Sequence, residues 1–418
     1  MLIRGSLTFA GDKSISHRAL MLAALTDGEC VVRNPARGQD LEATRRCLAA
    51  CGVKSAWEGN SIRIIGDTLI NPTSDLDCGN SGTTARLLLG FLAGQKITAC
   101  FTGDESLSRR PMDRVIEPLT RMGAKIESAQ GHLPLTLHSR QLTGITNQSP
   151  VASAQVKSAI LLAGLGAGGT TTVIEKLSTR DHTEKMLITL GAEIEFTESQ
   201  ATVKKLTGNL QTFEMIVPGD PSTAAFFAVA AAGLPDSELI IRQVSLNHRR
   251  IGLYSVLERM GASVVYRQTD LILGEPVGDI KIKSRPLQGV TLIAKDIPGM
   301  IDELPALAVL ATQAQGVTEI RGARELRVKE SDRIAALCEN LKRLGAQVKE
   351  YADGLTITGP TRLKGESVRS FGDHRIAMAF KIAGLFSAGT VSIDDSACIK
   401  ISAPEFDDLL SRVLKIST

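Results

Sequence analysis

Two acids stand among cations in this sequence. Asp302 precedes the apolar run "LPALAVLA", and Glu330 lies in "RVKESDRI" between Lys329 and Arg333. A carboxylate held ionised by neighbouring cations can accept the proton of a hydroxyl. Further cations stand where polar turns meet apolar runs: Lys13 and Arg18 in "GDKSISHRAL", Arg86 in "GNSGTTAR", Arg110 in "SRRPMDR", Lys157, Arg180 in "STRDHTEK", and His374 with Arg375 in "GDHRIAMAF". Arginine suits bidentate capture of carboxylate or phosphate, and lysine suits a point charge or proton transfer. Each residue alone reads as an ordinary solvated charge. A cation in a first helical turn opposes the helix dipole, so a set of them calls for bound anions. The chemistry these types allow is proton transfer beside captured anions. No Ser-His-Asp order, nucleophilic cysteine context or GxGxxG is present, and "GDKS" lacks the first glycine of a Walker A loop.

The elements that must carry these residues repeat six times. A polar turn followed by an apolar helix recurs at Asp12, Asn80, Ser153, Asp220, Asp302 and Asp373, at intervals of 67 to 82 residues. A second helix in each of the first five repeats ends in "CGV", "MGA" or "LGA", placing Gly52, Gly123, Gly191, Gly261 and Gly345 as left-handed caps. Two short strands joined by a polar turn follow, as in "SAWEGNSIRIIG". The unit reads as helix, strand, helix, strand, strand. The sixth repeat runs out of chain, and the strand "LIRGSLTF" at the start is expected to supply one of its missing strands.

This pattern predicts an α/β protein of two domains, 12–219 with repeats one to three, and 1–11 plus 220–418 with repeats four to six. The crossings at Gly11-Asp12 and Gly219-Asp220 would form a two-stranded hinge. Because the first helix of each repeat is apolar on nearly all sides, it must be buried, with strands and second helices outside. The polar helix starts would emerge at one end, where unpaired N–H groups favour anions.

Composition agrees with a soluble enzyme of small anions. The 418 residues suit two domains of about 200. With 48 Lys and Arg against 45 Asp and Glu, the net charge is only +3, and no basic stretch is interleaved with aromatics, so no nucleic-acid partner is expected. "MLIRGSLTF" lacks a signal-peptide core, and no apolar run approaches the roughly 18 residues of a membrane span. A cytoplasmic monomer without membrane contact is expected. Seven cysteines without metal-ligand spacing read as reduced, buried thiols rather than a zinc site.

The motifs "GDKSISHRAL", "GNSGTTARLL", "SRRPMD", "SAQVKSAILLAGL", "STRDHTEKML", "PGDPSTAAFF", "DELPALAVLA", "ELRVKESDRI" and "GDHRIAMAF" run in order through the whole chain. Together they resemble the motifs of the 5-enolpyruvylshikimate-3-phosphate synthase family. The resemblance implies two inside-out α/β domains of three βαβαββ units each. It implies enolpyruvyl transfer from phosphoenolpyruvate to the 5-hydroxyl of shikimate 3-phosphate in an interdomain cleft, with phosphate released and neither organic cofactor nor catalytic metal required. Carried over by position, Lys13, Gly82, Arg110, Arg333 and Arg375 would hold phosphoenolpyruvate. Ser14 and Arg18 would hold the ring carboxylate of shikimate 3-phosphate, and Ser153, Ala154, Arg180 and Lys329 its phosphate. Lys13 and Gln155 would touch both substrates. Asp302 would take the proton of the attacking hydroxyl, with Lys13 and Glu330 serving the other proton transfers.

Two substrates of about −3 each face seven cations, and Asp302 with Glu330 reduces that set to +5. Such a near-balance implies that the anions draw the two domains closed. Lys400, in "KISAPEF", is displaced from the lysine many members carry there and is left out of the site. His17 is expected to pack or be solvated rather than react. A related transferase acting on UDP-N-acetylglucosamine is the nearest alternative, but its reactive cysteine falls here on Glu105, and Ser14 follows Lys13 where it has asparagine. A non-catalytic protein binding anions or RNA ends would not need Asp302 and Glu330.

Overall fold

The apolar helix heading each repeat forms in all six, as Lys13–Ala23, Gly82–Gly94, Ala154–Gly164, Pro221–Gly233, Leu304–Ala311 and His374–Phe386. These belong to a computed structural model that describes residues 1–416. Burial runs right round them: every residue of Pro221–Gly233 up to Ala232 is buried. Five begin on a side-chain cap. Asp12 accepts from Ile15 N, Ser81 from Thr84 N, Ser153 from Val156 N, Asp220 from Ser222 N and Thr223 N, and Asp373 from Arg375 N. A cap satisfies only one or two of the four N–H groups at a helix start, so donors remain at each mouth. The second cap is Ser81 rather than Asn80, and the fifth helix starts two residues after Asp302.

Small residues let two of these helices touch. A Cβ on Gly90 would overlap Ala159 O, and one on Gly94 would stand 2.9 Å from Ala163 O. Any larger side chain would force Gly82–Gly94 away from Ala154–Gly164.

The second helices are Gln39–Ala50, Asp113–Arg121, His182–Thr189, Gly252–Arg259 and Arg333–Arg343. All five glycines expected behind them have φ between +87° and +106°, the left-handed region in which only glycine is unstrained.

Among the described residues six sheets accompany the inner helices, four of them four-stranded, one five-stranded and one two-stranded. In the second repeat the strand entering the helix, Leu76–Asp77, runs parallel to the strand leaving it, Ala99–Thr102, and the hairpin Lys125–Ala129 with His132–His138 adds antiparallel. The first repeat borrows its entering strand from Glu214–Ile216, parallel to Glu29–Arg33. The fourth borrows Leu2–Leu7, parallel to Glu238–Ser245. This corrects the expected place of the amino-terminal strand. The sixth repeat already has an entering strand, Ser367–Val368, paired parallel with Ser392–Ile393. It lacks a hairpin, and one strand running parallel cannot replace that. The parallel place is open in the fourth sheet, where Leu414–Lys415 also joins Leu2–Leu7 antiparallel.

The chain divides into two compact units. One comprises Ala10–Val217 with Leu271–Glu275; the other comprises Met1–Phe9, Pro218–Asp270 and the chain from Pro276 onward. Each has its own hydrophobic core built on its three inner helices. Leu271–Glu275 is the turn region of the hairpin formed by Ser263–Ile272 and Glu275–Lys283. The arrangement, helices inside and sheets outside, is an inside-out α/β fold.

Candidate active site

In the unit of residues 10–217, Lys13 opens the first inner helix, and its Nζ donates to Asp40 Oδ2 at 2.8 Å. Asp40 comes from the first turn of Gln39–Ala50. Ser14 is half-buried, and its carbonyl accepts from Arg18 Nη1 at 2.8 Å. Arg18 is buried, donating from Nε to Thr183 Oγ1 at 2.7 Å and from Nη2 to Ser158 Oγ at 2.6 Å. Burial lowers its pKa to about 10 while Glu184 pulls the other way, so it stays charged at neutral pH. Three of its five N–H groups are used, leaving two for a ligand.

His17 is fully buried, with Nδ1 2.7 Å from Thr44 Oγ1. The hydroxyl chain continues to Thr84 Oγ1 at 2.7 Å and from there to Ser81 Oγ at 2.8 Å. Burial drives its pKa down to about 3, so the ring is neutral and packs, as expected.

Three motifs converge beside Gly82. A Cβ there would stand 2.7 Å from Arg86 Nη1 and 3.3 Å from Arg110 Nη1. Arg110 is buried, and its Nη2 donates to Asn80 Oδ1 at 2.8 Å. Arg86 donates to Gln155 Oε1 at 3.0 Å and to Pro111 O at 3.1 Å, and Gln155 Nε2 donates to Thr83 Oγ1 at 3.0 Å. Ser153 caps the third inner helix and Ala154 is its first residue, so the Ala154 N–H has no acceptor within the helix. Arg180 is half-buried, two residues ahead of the helix His182–Thr189. Lys157 is not at the helix mouth. It is buried between Glu175 Oε2 and Glu184 Oε1, both at 2.8 Å.

In the other unit, one guanidinium gathers three acids. Arg333 is 1% exposed; its Nε is 2.8 Å from Asp373 Oδ2, its Nη2 2.7 Å from Glu330 Oε2, and its Nη1 3.3 Å from Asp302 Oδ1. Burial opposes the Arg333 charge, but Asp373, Glu330 and Asp302 outweigh it and hold the group above the usual arginine range. Lys329 Nζ is 3.8 Å from Asp302 Oδ1. Lys329 and Glu330 lie in the connection between the 3-10 turn Arg324–Val328 and the helix Arg333–Arg343. Asp302 and Glu330 keep about a fifth of their side chains exposed, so each can face a ligand while paired behind. Arg375 is buried at the start of the sixth inner helix, 5.9 Å from the Phe226 ring centroid, and its Nη1 has no hydrogen-bond partner. That donor suits an anion. Lys400 is exposed.

The arrangement offers arginine N–H groups for anions and, at Asp302, a partly exposed carboxylate flanked by cations that can take a proton.

The family model described as EPSP synthase (3-phosphoshikimate 1-carboxyvinyltransferase) matches residues 2–410. The chain belongs to the EPSP synthase family. A 3-phosphoshikimate 1-carboxyvinyltransferase of Pelobacter propionicus is 48% identical, covering 98% of this chain and 96% of its own. One from Xanthomonas campestris is 49% identical over 97% of this chain and 94% of its own. The solved EPSP synthase of Acinetobacter baumannii superposes with a TM-score of 0.87 at 39% identity, covering 99% of this chain and 96% of that one. The enolpyruvyl transferase NikO of Streptomyces tendae shares the fold, with a TM-score of 0.79 at 19% identity over 99% of this chain and 95% of its own.

Beside the residues that match the family's motifs stand some that sequence reasoning did not assign to the site. Asp40 pairs with Lys13, Asp373 pairs with Arg333, and Arg86 holds Gln155. Adding Asp40 and Asp373 to the acids lowers the charge of the set from +5 to +3. The acidic first turn "QDLEA" was the available signal for Asp40. The sequence marks Asp373 only as the start of the sixth repeat; it also caps that repeat's inner helix.

Proposed function

We propose that this chain transfers the enolpyruvyl group of phosphoenolpyruvate to the 5-hydroxyl of shikimate 3-phosphate, releasing phosphate. The observation that carries this reading is the Arg333 cluster, in which Asp302 and Glu330 stand part-exposed on one buried guanidinium in a chain of this family. Asp302 takes the proton of the 5-hydroxyl as its oxygen bonds to C2 of phosphoenolpyruvate, and C3 gains a proton to give a tetrahedral intermediate. Loss of a C3 proton with departure of phosphate then forms the enol ether. Lys13 and Glu330 serve these transfers at C3 and at the leaving phosphate.

Lys13, Gly82, Arg110, Gln155, Arg333 and Arg375 are assigned to phosphoenolpyruvate. Lys13, Ser14, Arg18, Ser153, Ala154, Gln155, Arg180, Asp302 and Lys329 are assigned to shikimate 3-phosphate. Neither unit contains the whole set, so the reaction draws on both, with Gly11-Asp12 and Gly219-Asp220 as the hinge. Small anionic substrates are its only proposed partners, and it acts as a cytoplasmic monomer. Among the described residues no helix is long and apolar enough to cross a membrane.

The deciding experiment measures phosphate release from phosphoenolpyruvate on adding shikimate 3-phosphate. Release with UDP-N-acetylglucosamine instead would move the chain to the related transferase, and release with neither would support a binding protein.

A further inference from the structure

His182, Thr183 and Glu184 open the helix His182–Thr189, and all three are buried. Each is bound to a different part of the unit. His182 Nδ1 is 2.5 Å from Glu275 Oε1, and both side chains are fully buried. Thr183 Oγ1 accepts from Arg18 Nε and donates to Ser158 Oγ at 2.8 Å. Glu184 Oε1 is 2.8 Å from Lys157 Nζ.

Glu275 ends the turn Leu271–Glu275, which packs with this unit although its strands belong to the sheet of the other. The turn lies directly on the same helix. Gly274 adopts φ +77°, and a Cβ there would stand 3.2 Å from Lys185 Cβ and 3.3 Å from Thr189 Oγ1.

A buried carboxylate is costly, and apolar residues of similar volume often stabilise a fold as well as a buried polar pair does. Stability alone therefore does not account for Glu275. His182 Nε2 is buried with no hydrogen-bond partner, so a second ring proton would be an orphan donor. Burial lowers the Arg18 pKa and Glu184 chiefly opposes it, with Glu275 the least of the contributors, so Glu275 bears on Arg18 through the packing of the helix rather than through its charge.

We propose that Glu275 is a positioning residue for the ring substrate: through His182 it locks the start of the helix, so that Thr183 holds Arg18 with its two remaining N–H groups toward the carboxylate of shikimate 3-phosphate. This rests on the enolpyruvyl-transfer reading above. Glu275 touches neither substrate. Its action passes through His182 and the next residue, Thr183, to Arg18.

The test uses Glu275→Gln in the full chain, with KM measured for each substrate and shikimate 3-phosphate binding measured by calorimetry. The affinity for shikimate 3-phosphate is expected to fall about ten- to hundredfold, as a misplaced binding group commonly costs, while the KM for phosphoenolpyruvate changes less than about twofold. Unchanged affinity for shikimate 3-phosphate overturns the proposal, and so does an equal loss for both substrates, the mark of general damage. Should Glu275→Gln not fold, Glu275→Asp decides by the same split, because it keeps the charge and withdraws the carboxylate by one methylene. An unaltered chain that releases no phosphate sinks the function itself. Turnover by the unaltered chain with no split in the variant sinks only the positioning role.

Discussion

Lys13 Nζ and Asp40 Oδ2 lie 2.8 Å apart, joining the first turn of the first inner helix to the first turn of the helix after it. The pair answers a conflict in the sequence, since a lysine at a helix start opposes the dipole and calls for a negative partner. Here the protein supplies one. Part-exposed, the pair contributes about 1 kcal/mol or less to stability.

Lys13→Met should therefore unfold within about 1 kcal/mol of the unaltered chain. Its turnover should fall more than about a hundredfold, because a proton-transfer group is lost. Rapid-quench assay of phosphate release, paired with urea unfolding, checks both. More than about a tenth of the rate, a barrier change under roughly 1.4 kcal/mol, would remove Lys13 from its central place. Asp40→Asn should leave the fold intact and reduce kcat less than Lys13→Met does.

Arg333 yields the opposite prediction, a loss of stability as well as activity. Asp373 is fully buried against it, so Arg333→Met would strand a buried carboxylate and cost on the order of 3–5 kcal/mol. Urea unfolding should place Arg333→Lys between the two, since one ammonium can face only part of the cluster. A loss under about 1 kcal/mol for Arg333→Met would mean that the three acids find other partners.

This contrast marks where the sequence was legible. The six inner helices and five glycine caps could be read because periodicity and left-handed turns are local properties of the chain. Which strand completes which sheet is decided by a partner about 230 residues away, as in the Leu2–Leu7 pairing with Glu238–Ser245, and no local pattern encodes it. The cations were found by type, but their partners were not. Lys157 counts by type among the cations expected at the helix mouths, but Glu175 and Glu184 close around it and bury it.

Gly82 tests the convergence of Arg86 and Arg110. In Gly82→Ala the new methyl would stand 2.7 Å from Arg86 Nη1 and 3.3 Å from Arg110 Nη1, both ends of flexible side chains, so the arginines shift and the backbone does not. Stability should change by less than about 1 kcal/mol. The KM for phosphoenolpyruvate should rise about tenfold while that for shikimate 3-phosphate stays level, because a displaced guanidinium misplaces the anion it holds. Equal KM values for the variant and the unaltered chain would detach Gly82 from that substrate.

His17 gives a prediction in pH. Burial lowers its folded pKa from 6.5 to about 3, so between those values the unfolded chain binds a proton that the folded chain refuses. Stability from this group is complete above about pH 6.5 and is lost as the pH falls toward 3; between pH 7 and pH 5 the loss is about 2 kcal/mol. His17→Asn removes the titration and keeps a polar group near Thr44 Oγ1, the partner 2.7 Å from Nδ1. Urea midpoints at pH 7 and pH 5 should therefore separate for the unaltered chain by about 2 kcal/mol more than for the variant, with all other titrating groups cancelling in the difference. Parallel pH dependence in the two proteins would show that His17 gains a proton without leaving the fold. The hydroxyl chain from Thr44 through Thr84 to Ser81 would then have to accommodate a charged imidazole at its end.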